Sequence, residues 1–142
     1  MEKVLLALWL ASVEYGVSYK TLYAIAKVES SLNPYAVNIG GKSYFPGSKE
    51  EALKLIKGKR NYDLGLMQIN SYWVRKYKLN PKWLFDPYYN AKFGAYVLSY
   101  CISLHGNSWK AIDCYYRGEK RAKDYSVYSM KVCSVIYGRE RC

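Results

Sequence analysis

One carboxyl group lies where the helical pattern of the sequence predicts an apolar residue. The positions spaced i, i+3, i+4 and i+7 on this predicted helix face are Leu22, Ile25, Ala26 and Glu29. Burial of this face and the negative end of the helix dipole both disfavour a charged carboxylate, so we expect a raised pKa for Glu29. A carboxyl group that stays protonated near neutral pH can serve as a general acid. From this helix alone, a structural carboxylate that caps or pairs within a helix bundle fits equally well.

Cleavage of a glycosidic bond needs such an acid, and most enzymes that cleave it place a second carboxylate across the bond. The chain has 11 Asp and Glu residues. Asp63 is the most suggestive partner because it stands just before Gly65-Leu-Met-Gln68, whereas Asp113 sits among apolar residues of a predicted helix. If no second carboxylate faces the substrate, an internal hydroxyl group of the substrate could attack, with Glu29 acting first as acid and then as base.

The composition predicts a folded protein with an exposed basic surface. The chain has 142 residues, of which 51% are hydrophobic and 17% aromatic, enough for one domain with its own core. It contains no apolar run long enough to cross a membrane. The net charge of +11 suits an anionic partner such as nucleic acid, a membrane surface or a cell wall. Because no nucleic-acid-binding motif is present, we expect no nucleic-acid partner.

The cysteines favour disulfides over a metal site. The four residues, which all lie in the last third of the chain, are Cys101, Cys114, Cys133 and Cys142. None forms a C-x-x-C pair, so a structural zinc site is not expected. One or two disulfides in an oxidising compartment fit this number, and three complete pairings stay open. The alternative is a set of buried free thiols in a cytosolic protein.

The N-terminal segment has two interpretations. Residues 1–12 contain one lysine followed by an apolar run, as a short signal peptide would. The same segment forms a helical stripe through Val4, Leu8 and Ala11 that Gly16 can end, and we favour this helix. The expected location is periplasmic or exported, and a signal peptide is absent, has been removed or is ambiguous at residues 1–12.

The remaining pattern predicts a mainly α, single domain over residues 1–142. Ser18 is the expected N-cap of the helix that carries Glu29, and Ser48 opens a capping box with Glu51. Residues 35–47 predict a loop or, at most, a small β-hairpin. The short helix after this capping box is expected to run through Ala52 and Ile56 and to end at Gly58. The other helices are expected over residues 3–15, 71–78, 88–104, 108–116 and 124–137.

Three motifs occur in an order that resembles a known enzyme family. They are Glu29-Ser-Ser-Leu-Asn-Pro34, Gly65-Leu-Met-Gln-Ile-Asn70 and Trp109-Lys-Ala-Ile-Asp-Cys-Tyr-Tyr-Arg-Gly118. They resemble the patterns E-S-x-x-N-P, G-L-M-Q-I and W-x-A-x-x-x-Y-N-x-G of the soluble lytic transglycosylase catalytic domain, which is related in fold to goose-type lysozyme. Residues 84–94 are similar to a further family pattern, L-x-D-P-x-x-N-x-x-x-G. The resemblance covers about residues 8–135 and implies a lysozyme-like fold.

The resemblance also implies a reaction. Glu29 would protonate the oxygen between N-acetylmuramic acid and N-acetylglucosamine in a peptidoglycan strand, and the N-acetyl group of the substrate would help to stabilise the oxocarbenium-like centre. Glu29 would then accept the proton of the muramyl C6 hydroxyl, which gives a 1,6-anhydromuropeptide. Neither a metal nor another cofactor is expected.

Five residues are expected to bind or hold the substrate. Gly65 would let the backbone approach the sugar closely. Met67 and Gln68 would line the cleft, where the Gln68 amide offers a donor and an acceptor to an acetamido group. Ser30 follows the glutamate and is expected to help hold the site, and the Tyr115 hydroxyl is expected to lie near Glu29 and orient it. For Met67 and Tyr115 the alternative is ordinary core packing.

Two departures from the family pattern bear on function. Tyr116 stands where the family has asparagine, which could alter the local turn or narrow the cleft. The long segment between Pro34 and Gly65 looks similar to that of transglycosylases that accompany conjugation, pilus and secretion machines, so components of such an envelope-spanning machine are candidate partners.

Three rival functions stay open at this level. A hydrolytic muramidase would use Asp63 to position water. A non-catalytic peptidoglycan-binding scaffold would have Glu29 displaced or blocked, for which Tyr116 is the candidate cause. A basic nucleic-acid-binding module would rest on charge alone. In each case we expect a monomer.

Overall fold

Seven α-helices make up most of the computed structural model, which describes residues 1–142. The helices are α1 (Glu2–Tyr15), α2 (Tyr19–Ser30), α3 (Lys49–Ile56), α4 (Ser71–Lys76), α5 (Pro87–His105), α6 (Trp109–Arg117) and α7 (Val127–Tyr137). Two 3₁₀ turns, Pro81–Phe85 and Arg139–Arg141, complete the helical structure. The prediction of a mainly α chain is confirmed, and each predicted helix is present.

The helix ends follow the predicted capping chemistry. The Ser18 and Ser48 hydroxyls accept hydrogen bonds from the amides of Thr21 and Glu51, which satisfies amide groups that have no partner within the helix. The capping box at Ser48 differs in one detail, because the Glu51 carboxylate accepts from the Gly47 amide rather than from Ser48.

The core forms around α1, α2 and α5. On α1, the residues that face α5 are at most 5% exposed, namely Val4, Ala7, Leu8 and Ala11. The apolar stripe of α2 is fully buried, and this helix packs against α1 and α7. The N-terminal segment thus forms the predicted helix, which packs into the core. No helix combines the length and apolar character needed to cross a membrane.

The chain between α2 and α4 forms a small antiparallel sheet in addition to α3. Its strands are β1 (Val37–Ile39), β2 (Lys42–Tyr44), β3 (Asp63–Leu64) and β4 (Ile69–Asn70), in the order β2-β1-β3-β4. The β1–β2 hairpin lies within the predicted segment. The pair β3–β4 was not predicted, because strands of two residues carry no alternating pattern. This pair closes the turn 65–68 and brings it beside the end of α2.

Two disulfides stabilise the second half of the chain. Cys101–Cys114 joins α5 to α6, and Cys133–Cys142 joins α7 to the C-terminal turn. No free cysteine is left. The disulfide interpretation is confirmed, and the structure selects one of the three pairings.

Candidate active site

An open cavity of about 680 Å³ contains both carboxyl groups singled out in the sequence, Glu29 and Asp63. Its walls come from the β3–β4 pair, α4, α5, α6 and the segment that follows α6. The aromatic residues that line the cavity are Tyr72, Trp73, Tyr100, Tyr115 and Tyr116. Flat aromatic faces next to polar groups suit a polar ligand with apolar faces, such as a sugar.

Glu29 has the electrostatics of a general acid. It lies in the last turn of α2, at the end of the buried stripe. Burial raises the pKa of Glu29 from its ordinary value of 4.5 to about 8, a hydrogen bond from Tyr128 opposes this rise, and the nearby charge of Asp63 adds to it. The predicted direction of the pKa shift is confirmed, so the carboxyl group holds its proton at neutral pH.

Tyr128, on α7, is the residue that holds this carboxyl group in place. Its hydroxyl donates a hydrogen bond of 2.9 Å to Oε2 of Glu29. Burial and the neighbouring Glu29 raise the pKa of Tyr128 well above 10.0, so the hydroxyl stays a donor. Tyr115 was expected to lie near Glu29 and orient it. Burial and the nearby charge of Glu29 raise the pKa of Tyr115 well above 10.0, but its hydroxyl donates to Met67 O at 2.7 Å and not to Glu29.

The turn 65–68 is fixed to its surroundings by side chains from three helices. Ser30 Oγ lies 2.7 Å from Leu66 O, and the Tyr115 hydroxyl donates to Met67 O. The buried amide of Asn90 accepts from Met67 N at 2.7 Å and donates to Leu64 O at 2.9 Å. These bonds tie α2, α5 and α6 to one turn, which sets the position of Glu29 relative to Gln68.

Gly65 and Met67, which were expected at the cleft, are instead part of this support together with Ser30. Ser30 and Met67 are at most 1% exposed, and neither lines the cavity. Gly65 is also buried, with φ +78°, and a Cβ there would stand 2.4 Å from both Asn90 Nδ2 and Leu84 O. Its glycine serves close packing against Asn90, not approach to a sugar. The bond from Ser30 to Leu66 O agrees with the expectation that Ser30 helps to hold the site, whereas Gly65 and Met67 are buried and do not line the cavity as expected.

Gln68 does line the cavity, as predicted. Its Nε2 donates to Ala36 O at 3.0 Å and to Gly65 O at 2.9 Å. Both amide protons are thus used, so Oε1 is the group left to bind a ligand. Gln68 offers an acceptor alone, whereas the sequence predicted a donor as well.

Strained backbone occurs within the two motifs 29–34 and 65–70. Three of the four non-glycine residues with positive φ are Ser31, Leu32 and Gln68, at 54°, 64° and 52°. Such conformations persist where surrounding contacts impose them, and they cluster at functional sites. Here Ser31 is the C-cap of α2, just beyond Glu29 and Ser30. Gln68 has its positive φ in the turn where its side chain bonds to Ala36 O and Gly65 O.

Asp63 is the second carboxylate of the cavity. Its Oδ1 accepts a hydrogen bond of 2.8 Å from Asn70 Nδ2. Burial raises the pKa of Asp63, and the Asn70 bond acts in the opposite direction. No group of three or more His, Cys, Asp or Glu residues is arranged to hold a metal ion.

Tyr116 lines the cavity without closing it. Its ring stacks on that of Tyr128 at a centroid distance of 4.6 Å and an angle of 10°, and 57% of the residue stays exposed. Glu29 still lines the same open cavity, so the blocked site expected of a scaffold is not present.

The sequence is similar to one known domain family and to two named bacterial proteins. The chain matches the Transglycosylase SLT domain over residues 9–132. It is 32% identical over 117 residues to the type IV secretion system protein virB1 of Brucella abortus, which covers 72% of this chain and 49% of that protein. It is 31% identical over 131 residues to the invasion protein IagB of Salmonella typhimurium, which covers 87% of this chain and 71% of that protein.

The alignment with virB1 has a limited span, since this chain covers about half of that protein's length. No solved structure gave a significant match. The family match extends from α1 into α7 and includes Glu29, the turn 65–68 and Tyr128. The chain therefore belongs to the transglycosylase SLT domain family.

Proposed function

We propose that this protein is a peptidoglycan lytic transglycosylase that cleaves the β-1,4 bond between N-acetylmuramic acid and N-acetylglucosamine. The observation that carries the proposal is Glu29, a carboxyl group with a pKa of about 8 in an open cavity. It holds a proton at neutral pH and can give it to a glycosidic oxygen. Membership of the SLT family supports the same reaction.

The proposed reaction returns Glu29 to its starting state. Glu29 donates its proton to the glycosidic oxygen as the C1–O bond breaks, and the N-acetylglucosamine leaves with that proton. The muramyl C6 oxygen then bonds to C1 while its proton passes to the Glu29 carboxylate. Water is neither consumed nor released. The Tyr128 hydroxyl stabilises the carboxylate between the two steps, because it donates to Oε2.

The cavity offers further groups to the glycan. Gln68 Oε1 can accept from an acetamido N–H or a sugar hydroxyl. Tyr72, which is 53% exposed, and Trp73 line the same cavity and can stack on sugar faces. These residues would hold the strand across Glu29.

Hydrolysis is the second candidate, and Asp63 favours it. This carboxylate shares the cavity with Glu29 and is close enough to affect the pKa of Glu29. If Asp63 activated water, the enzyme would be a muramidase and its products would carry reducing ends. The transglycosylase is preferred because the chain matches the Transglycosylase SLT domain over residues 9–132.

Product analysis separates these reactions. Purified protein and Asp63→Asn are incubated with peptidoglycan sacculi, and the soluble muropeptides are identified by mass spectrometry. We expect 1,6-anhydromuropeptides from both proteins. Reducing-end products that disappear in Asp63→Asn would show hydrolysis instead. Absence of any soluble product would refute enzymatic activity on this substrate.

Tyr128→Phe tests the proposed support of the acid. Loss of the hydroxyl removes a bond that stabilises the charged carboxylate, so the pKa of Glu29 should rise above about 8. We expect the alkaline limb of the pH–rate profile to move up by about one pH unit, since a hydrogen bond to a charged group contributes roughly 1.5 kcal/mol. Tyr125→Phe, at an exposed position, is the control. An unshifted limb would contradict this role for Tyr128.

A role in a secretion, pilus or conjugation apparatus is a further part of the proposal. It is supported by the similarity to virB1, which is named as a type IV secretion system protein, and to IagB, which is named as an invasion protein. The two disulfides and the basic charge suit a protein that works in the periplasm as a monomer on an anionic wall.

A further inference from the structure

One edge of the cavity carries a group of cations that the proposed cleavage does not use. Arg117 is the last residue of α6, and Lys120 and Arg121 follow this helix; all three line the cavity that contains Glu29. We call these three residues the basic rim. Glu119 lies among them, but its carboxylate already accepts a hydrogen bond of 2.9 Å from the Tyr100 hydroxyl.

The basic rim is built on a fixed base. Asp113, which is fully buried, accepts from Nε of Arg117, a member of the rim, at 2.8 Å and from Lys123 N, just beyond the rim, at 2.7 Å. The Arg121 amide donates to Gly118 O at 3.3 Å, which closes a turn. The Cys101–Cys114 disulfide attaches the same helix end to α5. The cations are therefore presented from an anchored turn rather than a free loop.

Two of these cations have no anionic partner in the protein. The ion pairs of the structure are Lys92–Glu14 and Arg117–Asp113. Lys120 and Arg121 take part in neither, and both are exposed at the cavity. An ammonium and a guanidinium group without internal partners can each donate charge-assisted hydrogen bonds to a carboxylate of a ligand.

The chemistry of the substrate indicates which ligand groups would meet the rim. The sugar rings of a peptidoglycan strand are uncharged, and the lactyl carboxyl of the muramyl residue is consumed in its amide bond to the peptide. The negative groups of the polymer are carboxylates of the stem peptides. We infer that the basic rim binds stem-peptide carboxylates and makes the enzyme select peptide-bearing strands; this inference rests on the proposed function.

The test compares three substrates and three proteins. The substrates are peptide-bearing strands, strands stripped of peptide by an amidase, and peptide-bearing strands whose carboxyl groups have been converted to amides with ammonia and a carbodiimide. The proteins are wild type, Lys120→Gln/Arg121→Gln, and the matched control Lys57→Gln/Lys59→Gln. The control removes two exposed charges that lie outside the cavity.

Wild type and the control should prefer native strands over both stripped and amidated strands, mainly through KM. In the rim variant this preference should fall about tenfold, because each exposed ion pair contributes roughly a threefold factor. Added salt should reduce the preference of wild type toward that of the rim variant. Equal preferences in the rim variant and the control, or equal cleavage of native and amidated strands by wild type, would overturn the inference.

Failure of the proposed function would give a different result. In that case wild type releases no soluble product from any of the three substrates. The rim is then tested by co-sedimentation of Glu29→Gln with native and amidated sacculi, with and without the two rim substitutions. Weaker binding to amidated sacculi that depends on Lys120 and Arg121 would support the rim. Binding that ignores both changes would refute it.

Discussion

Glu29→Gln is expected to lower the rate of muropeptide release by about a thousandfold, within the range that a general acid contributes. Glutamine keeps the size of the side chain and can still accept the Tyr128 hydrogen bond, but it has no acidic proton for the glycosidic oxygen. It is also unable to accept the C6 proton in the second step. Both halves of the proposed reaction therefore fail in this variant.

The same substitution is expected to change how stability depends on pH. The unfolded carboxyl group titrates near 4.5 and the folded one near 8, so between these values the folded state holds a proton that the unfolded state has lost. The Glu29 carboxyl group contributes fully to the free energy of unfolding of the wild-type protein below pH 4.5, and this contribution is lost as the pH rises to 8. The loss is on the order of a few kcal/mol in the free energy of unfolding.

Urea denaturation at a series of pH values measures this difference. The stability of Glu29→Gln relative to wild type should increase steadily through the window from 4.5 to 8 and level off above it. Glu50→Gln, at an exposed position of α3, controls for removal of a carboxylate. Parallel stability curves for wild type and Glu29→Gln would show that Glu29 is not buried as described.

The acid could be predicted from sequence because its signal is local. Leu22, Ile25 and Ala26 fix the helix face, and the position of Glu29 on that face is enough to predict burial and a raised pKa. The helices and their caps were predictable for the same reason, since Ser18 and Ser48 act on amides three residues away.

The partner of the acid could not be predicted in this way. Tyr128 is one of 17 tyrosines and lies 99 residues from Glu29 along the chain. Its position depends on how α7 packs against α2, which no short-range pattern contains. Met67 shows that a motif can place a residue beside the site without giving its role, because it is buried and supports the turn rather than lining the cavity.

Asp113→Ala is expected to be among the most destabilising single substitutions, with a loss of about 3 to 5 kcal/mol in the free energy of unfolding, as for one broken half of a buried ion pair. Asp113 is fully buried and accepts from Arg117 Nε, Lys123 N and Ser126 Oγ at 2.8, 2.7 and 2.5 Å. Alanine would leave all three donors without their acceptor. Asp113→Asn should lose less, because one oxygen acceptor remains.

Substitution of Asp113 should also loosen the segment that forms the cavity edge, because the bonds of Arg117 and Lys123 to Asp113 fix its two ends. Under conditions where Asp113→Asn is still folded, trypsin should cut after Lys120 or Arg121 faster than in wild type, since the segment opens without global unfolding. Asp124→Asn, a neighbouring exposed position, is the matched control and should be cut like wild type. Unchanged cleavage together with unchanged urea stability would mean that Asp113 does not anchor this edge. If Asp113→Asn is cut faster but its rate of muropeptide release keeps the pH dependence of wild type, Asp113 anchors the cavity edge without affecting Glu29. This result is expected because α2 and α7 position Glu29, whereas α6 positions the cavity edge.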